Sequence, residues 1–153
     1  DRMRVCVGGQ DKNAQIRDPK ITEQVKFIAS AKPLREKLVQ MQRDFAASCQ
    51  RIVTEGRDQG TVAFPHAAVK FFLTADPRQR ALRRHQELIA AGQTITLEEV
   101  FRQQQIRDAS DENREVGPLK PAPDSITIDT TTLTVDQVVS QMEQIARKII
   151  NGR

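Results

Sequence analysis

The sequence predicts an α/β domain with a parallel sheet flanked by helices, and three observations carry that prediction. Short apolar runs of strand length, "RIVTEG" (51–56), "VKFFLTAD" (69–76) and "SITIDTT" (125–131), are bounded by Gly, Pro, Asp or Ser, as strands buried on both faces are. Longer stretches between them repeat apolar residues at helical spacing. Those stretches open on helix-capping patterns, and helices alternating with buried strands give parallel pairing in one sheet. The chain has 153 residues, which is one domain's worth and long enough to bury a core.

In chain order, "MRVCVGGQDKNAQIRD" (3–18) carries short β-leaning pieces on either side of Gly8-Gly9 and predicts a small hairpin. "PLREKLVQMQRDFAASCQ" (33–50) sets Leu34, Leu38, Met41 and Phe45 at helical spacing behind Pro33, which predicts a helix with one buried stripe. Asp76, Pro77 and Gln79 form an N-terminal cap and Gly92 a stop, so 77–91 is a predicted helix. Thr96 with Glu99 opens a helix over 97–114, after which "GPLKPAPD" breaks the chain. Thr134 with Gln137 caps a last helix, whose stripe runs Val135, Val138, Val139, Met142, Ile145, Ala146, Ile149, Ile150. Internal repeats and low-complexity tracts are absent from the sequence.

Composition narrows the function classes. Charged residues make up 29% and the hydrophobic set 38%, the balance of a folding chain. Cys6 and Cys49 show no metal-ligand spacing and are too few for a disulfide framework, so they suit a reducing compartment and predict no metal site. With no apolar run near bilayer length and no signal-peptide pattern, the expected location is the cytoplasm, with no membrane partner. Net charge is +4, with arginine in excess over lysine, which favours an anionic partner. Without Trp or Tyr there is little material for stacking single strands, and the basic residues fall in pocket-like sets rather than a stripe. A small phosphorylated ligand is therefore favoured over nucleic acid.

Three sets of residues could carry chemistry. Arg57 and Asp58 stand between Gly56 and Gly60 directly after "RIVTEG", and in an open parallel sheet ligands bind beyond the carboxyl ends of strands. Arginine grips phosphate in bidentate fashion, and aspartate accepts from an amino group; a solvated turn is the alternative. On helix 97–114 the inward arc Leu97, Val100, Phe101, Gln104 is continued by Arg107, Asp111 and Arg114. Charges on that arc suit a polar cleft, a surface ion-pair ladder being the alternative. Arg80, Arg83 and Arg84 share a face of helix 77–91 that could meet phosphates or simply be solvated. His66 and His85 fit no catalytic pattern and are expected at the surface.

Four stretches resemble the bacterial cytidylate kinases, a nucleoside-monophosphate kinase family of the P-loop fold: "EGRDQGTVAFP", "VKFFLTADPRQRALRRHQEL", "IRDASDENREVGPLKPAPDSITIDTTTLTVDQVV" and "GGQDKNAQIRDPKIT". The resemblance runs from about residue 4 to residue 150. It implies a kinase that transfers the γ-phosphate of ATP to CMP or dCMP, with Mg²⁺ accompanying ATP. It implies that Arg35 and Asp58 hold the cytosine, Arg57 and Arg114 the monophosphate, and Arg107 with Asp111 the pentose. Arg80 and Arg84 match lid arginines that close over the donor phosphates.

The same resemblance divides the chain into 1–24, the remainder of a monophosphate-binding insert; 25–76, core helix and strands; 77–115, arginine-rich lid helices; and 116–153, the closing strand and helix. Two departures stand out. Lys26 lies near the place where the family usually offers a serine to the base, and none of the seven glycines belongs to a G-x-x-x-x-G-K-[ST] pattern. The expectation is a nucleoside-monophosphate-kinase-like sheet missing the first strand and the P-loop helix, and inactive without them. Beginning at Asp1 without an initiator methionine, the sequence reads as a fragment of a longer kinase. The alternative is a non-catalytic nucleotide-binding or interaction domain that retains the acceptor pocket.

Overall fold

The computed structural model describes residues 4–17, 21, 24, 27 and 31–152. It separates into two compact units, Asp1–Cys49 and Gln50–Arg153. The expectation attached to Lys26 lies outside the described residues.

In the first unit the predicted hairpin is present. Strands β1 (Cys6–Val7) and β2 (Gln10–Asp11) pair antiparallel around Gly8 and Gly9. Both glycines have positive φ, 56° and 78°, the pair of values a two-residue hairpin turn of matching twist requires. Helix α1 spans Lys32–Ala47 with Pro33 in its first turn. Its apolar stripe is at helical spacing as expected, but Leu34, Leu38, Met41 and Phe45 are exposed rather than buried.

The second unit contains a two-stranded parallel sheet, β3 (Phe71–Thr74) beside β4 (Ile126–Asp129), in the register Phe71↔Ile126 to Thr74↔Asp129. The connection between them runs through helices α2 (Pro77–Ala90) and α3 (Leu97–Glu112), and α4 (Val135–Asn151) follows β4. "RIVTEG" is a correction: residues 52–55 form no strand, and Val53 is 97% exposed. A short apolar run becomes a strand only where a neighbour supplies its hydrogen bonds, and β3 and β4 pair with each other. Burial in this sheet is partial rather than complete on both faces: Ile128 is buried, while its register partner Leu73 is exposed.

The helix starts follow the sequence closely. Asp76 accepts from the N–H groups of Arg78 (2.9 Å) and Gln79 (3.1 Å), and Gly92 ends the segment with φ 80°. Thr134 and Gln137 exchange both bonds of a capping box, at 3.3 and 2.9 Å. Thr96 caps Glu99 N–H at 3.2 Å, but the Glu99 carboxylate turns forward to Arg102 and Gln103 instead of back. Helices α2 and α3 pack on each other, with Ala81 and Val100 fully buried and Arg78 5.5 Å over the Phe101 ring. His85 is half-buried rather than at the surface, and its Nε2 lies 3.0 Å from Ile95 O in the loop before α3. Among the described residues no helix is long and apolar enough to cross a membrane.

One ion pair ties the starts of the two parallel strands. Lys70, just before β3, is buried, and its Nζ donates to both carboxylate oxygens of Asp124 at 2.7 Å and to Pro65 O. The hydrogen bonds from Lys70 hold the Asp124 carboxyl below its usual value of 3.8. A folded-state value lowered in this way stabilises the fold above the unfolded-state pKa, and the contribution is lost as pH falls through the folded value. Thermal denaturation below about pH 4 should therefore show Asp124→Asn to be less acid-sensitive than the wild type; equal slopes would remove this pair from the acid response.

Candidate functional site

Asp111, in the last turn of α3, gathers three arginines. Arg57 Nε donates to Asp111 Oδ2 at 2.8 Å, Arg114 Nη2 lies 3.5 Å from Oδ1, and Arg107 Nε lies 4.0 Å from Oδ2. The chain beyond α3 is held in place by the bond from Leu119 N–H to Asp111 O at 2.8 Å. Asp111 and Arg114 are largely buried, with side chains 17% and 12% exposed, while Arg57 is half-open at 44%. Arg107 is 65% exposed, so the inward arc expected on α3 fails at that position. It lies on the open side of the cluster.

Among these four side chains, three guanidiniums around one carboxylate leave two positive charges in excess. Among the described residues, Arg114 Nε and Nη2 are buried without a hydrogen-bond partner, and buried donors of this kind are costly to leave unmatched. A phosphate monoester is nearly a dianion at neutral pH and presents several acceptor oxygens. It matches the cluster in both charge and donor count.

Asp58 is buried beside this cluster in sequence, and its backbone is fixed by an unusual turn. Its carbonyl accepts from Val62 N–H at 2.8 Å and from Ala63 N–H at 3.1 Å, and Gln59 O accepts from Phe64 N–H at 2.7 Å. These bonds make one π-helical turn over Gln59–Ala63, a feature often found at functional positions. Gly56 and Gly60 both make close approaches to neighbouring side chains. A Cβ at Gly56 would meet the Gln59 side chain at 2.8 Å, and one at Gly60 would meet Lys70 Cδ at 3.3 Å.

The arginines of α2 separate into different environments. Arg80 donates from Nη1 to Asp108 Oδ2 at 2.7 Å and from Nε to Ala75 O at 3.2 Å. Arg84 pairs with Glu87 at 2.9 Å and is exposed. Arg83, expected on the same phosphate-facing side, instead donates to the carbonyls of Thr130, Thr131 and Leu133 and fastens the turn between β4 and α4. Arg35 belongs to the first unit, where it is half-buried on the first turn of α1. Sequence reasoning missed Asp108, Lys70 and Asp124. Lys70 alone left a signal, being a charge inside the apolar run "AVKFFL".

Three arginines converging on one aspartate, with only Arg114 among them largely buried, give this parallel α/β unit a positively charged cluster of the kind that suits a phosphorylated ligand. The family model described as cytidylate kinase matches residues 1–148, and the chain belongs to that family. It is 43% identical over 148 residues to a cytidylate kinase of Citrifermentans bemidjiense, covering 97% of this chain and 63% of that protein. It is 41% identical to a cytidylate kinase of Chlorobaculum tepidum, covering 97% of this chain and 64% of the relative, and 40% identical to one of Mycobacterium avium, covering 97% and 65%. The chain thus spans a little under two thirds of the length of these relatives. The family carries the α/β fold of the nucleoside monophosphate kinases.

Proposed function

We propose that this chain forms the acceptor seat and lid helices of a nucleoside monophosphate kinase acting on CMP or dCMP. The observation that carries the reading is the convergence of Arg57, Arg107 and Arg114 on Asp111. Arg57 and Arg114 take the monophosphate, Arg107 and Asp111 the pentose, and Asp58 the cytosine. Arg80 and Arg84 close over the transferring group, where their charge offsets the charge spread over its oxygens.

In the reaction an oxygen of the acceptor phosphate forms a bond to the γ-phosphorus of ATP, and the bond from that phosphorus to the β–γ bridging oxygen breaks. ADP leaves with the electron pair, and no electron is gained or lost. The protein contributes position and electrostatics. Mg²⁺ accompanies ATP in such reactions, but among the described residues no group of three or more His, Cys, Asp or Glu could hold a metal ion. None of the roles given to residues above passes through a metal.

A second reading has its own observation. The 153 residues contain no G-x-x-x-x-G-K-[ST] segment to cradle the donor phosphates, so this polypeptide is expected to bind acceptor without transferring phosphate to it. Incubated with ATP, Mg²⁺ and CMP, it should give no CDP above background by chromatography; sustained turnover would overturn that expectation. Acceptor binding is tested by calorimetry with CMP against cytidine. CMP should bind at least about tenfold more tightly, since the charge-assisted bonds to phosphate are lost with cytidine. Equal affinities would defeat the phosphate seat.

A further inference from the structure

We infer that Lys70, which lies outside the arginine cluster, is a positioning residue for Asp58. The proposal rests on the reading of Asp58 as the group that recognises the base. Lys70 grips the π-helical turn at two places. Its stem packs under Gly60, where an added Cβ would stand 3.3 Å from Lys70 Cδ, and its Nζ donates to Pro65 O, two residues past the end of the turn. The ammonium is in turn fixed by both oxygens of Asp124 at 2.7 Å. Lys70 O accepts from Ile126 N–H at 2.9 Å, so the lysine is anchored to the β3–β4 sheet.

The turn held in this way sets the Asp58 backbone, because the Asp58 carbonyl is bonded to Val62 and Ala63 inside it. Arg57 is held differently, by its own ion pair to Asp111 on α3. A displacement of the turn therefore moves the base-reading carboxylate and leaves the phosphate-gripping guanidinium anchored. Lys70 controls selectivity between bases more than affinity for phosphate. Its side chain is buried, and a cleft of about 500 Å³ lies alongside it, lined in part by Gly60, Thr61, Pro65 and Asp124. That space gives the turn room to shift when the hook is cut.

The test compares CMP and UMP binding by calorimetry in the wild type, Lys70→Met, Lys70→Arg and Asp124→Asn. Methionine keeps the unbranched stem and removes the hook, and Asp124 is 66% exposed, so its amide variant buries no new charge. Lys70→Met and Asp124→Asn should each compress the CMP-to-UMP affinity ratio about threefold to tenfold, and Lys70→Arg should restore much of it. Ile128→Val, a modest core change in β4, lowers stability without touching the turn and should leave the ratio unchanged. Amide exchange supplies a ligand-free readout: Ala63 and Phe64 should lose protection in Lys70→Met relative to the strand amides of β4. A wild-type preference retained in full by Lys70→Met, or unaltered protection at Ala63 and Phe64, overturns the positioning role. Equal wild-type affinity for CMP and UMP instead overturns base reading by Asp58, and with it the role assigned to Lys70 in selectivity.

Discussion

Arg57→Ala is expected to weaken CMP and UMP alike, each by about tenfold to a hundredfold. Loss of a hydrogen bond to a charged group costs roughly 1.5–3 kcal/mol, which gives that range. The loss is attributable to the ligand rather than to a collapsed cluster. Asp111 retains Arg114 at 3.5 Å and Arg107 at 4.0 Å when Arg57 is removed, so no carboxylate is left alone. Phosphate carries no base information, so the ratio of the two affinities should stay at its wild-type value. Calorimetry at fixed ionic strength measures both, since salt screens the open half of the site. A change confined to CMP would move Arg57 from the phosphate to the base.

Asp58→Asn should do the opposite. Exchange of an ionised acceptor for an amide weakens or inverts one donor–acceptor match with the cytosine amino group. CMP affinity should fall by about one to two orders of magnitude. UMP should lose less, because the carbonyl at its corresponding ring position repels a carboxylate and can accept from an amide. The residue is buried, so a melting curve must accompany the titration to show that the variant is folded at the working temperature. Equal losses for the two nucleotides would return Asp58 to a structural role in the π-helical turn, which its carbonyl already serves.

The helices were legible in the sequence because their signals are local. Asp76, Thr96 and Thr134 cap within three residues, and the helices begin where those caps place them. β3 and β4 were legible as apolar runs, but "RIVTEG", also a short run with β-branched residues, is no strand, since pairing depends on a neighbour that the run itself does not encode. The candidate site divides in the same way. Arg107 and Asp111 lie one turn apart on α3, and Arg114 follows two residues past the end of that helix, short of the 97–114 expected, so their grouping still follows from spacing, whereas Arg57 reaches Asp111 across 54 residues. The partners of Arg80 and Lys70, Asp108 and Asp124, are 28 and 54 residues away, beyond any periodicity. Arg83 shared a face with Arg80 and Arg84 on paper; proximity to the carbonyls after β4 decided its role instead.

The most direct measurement of the phosphate seat is an NMR titration that follows the side-chain Nε–H signals of Arg57, Arg107 and Arg114 as CMP is added, with cytidine as the control. The account predicts that the Arg57 and Arg114 signals move with CMP in a saturable way, that Arg107 follows, and that cytidine leaves Arg57 and Arg114 where they were. Saturable CMP binding with both of those signals unmoved would contradict it, because the anion would then be seated elsewhere.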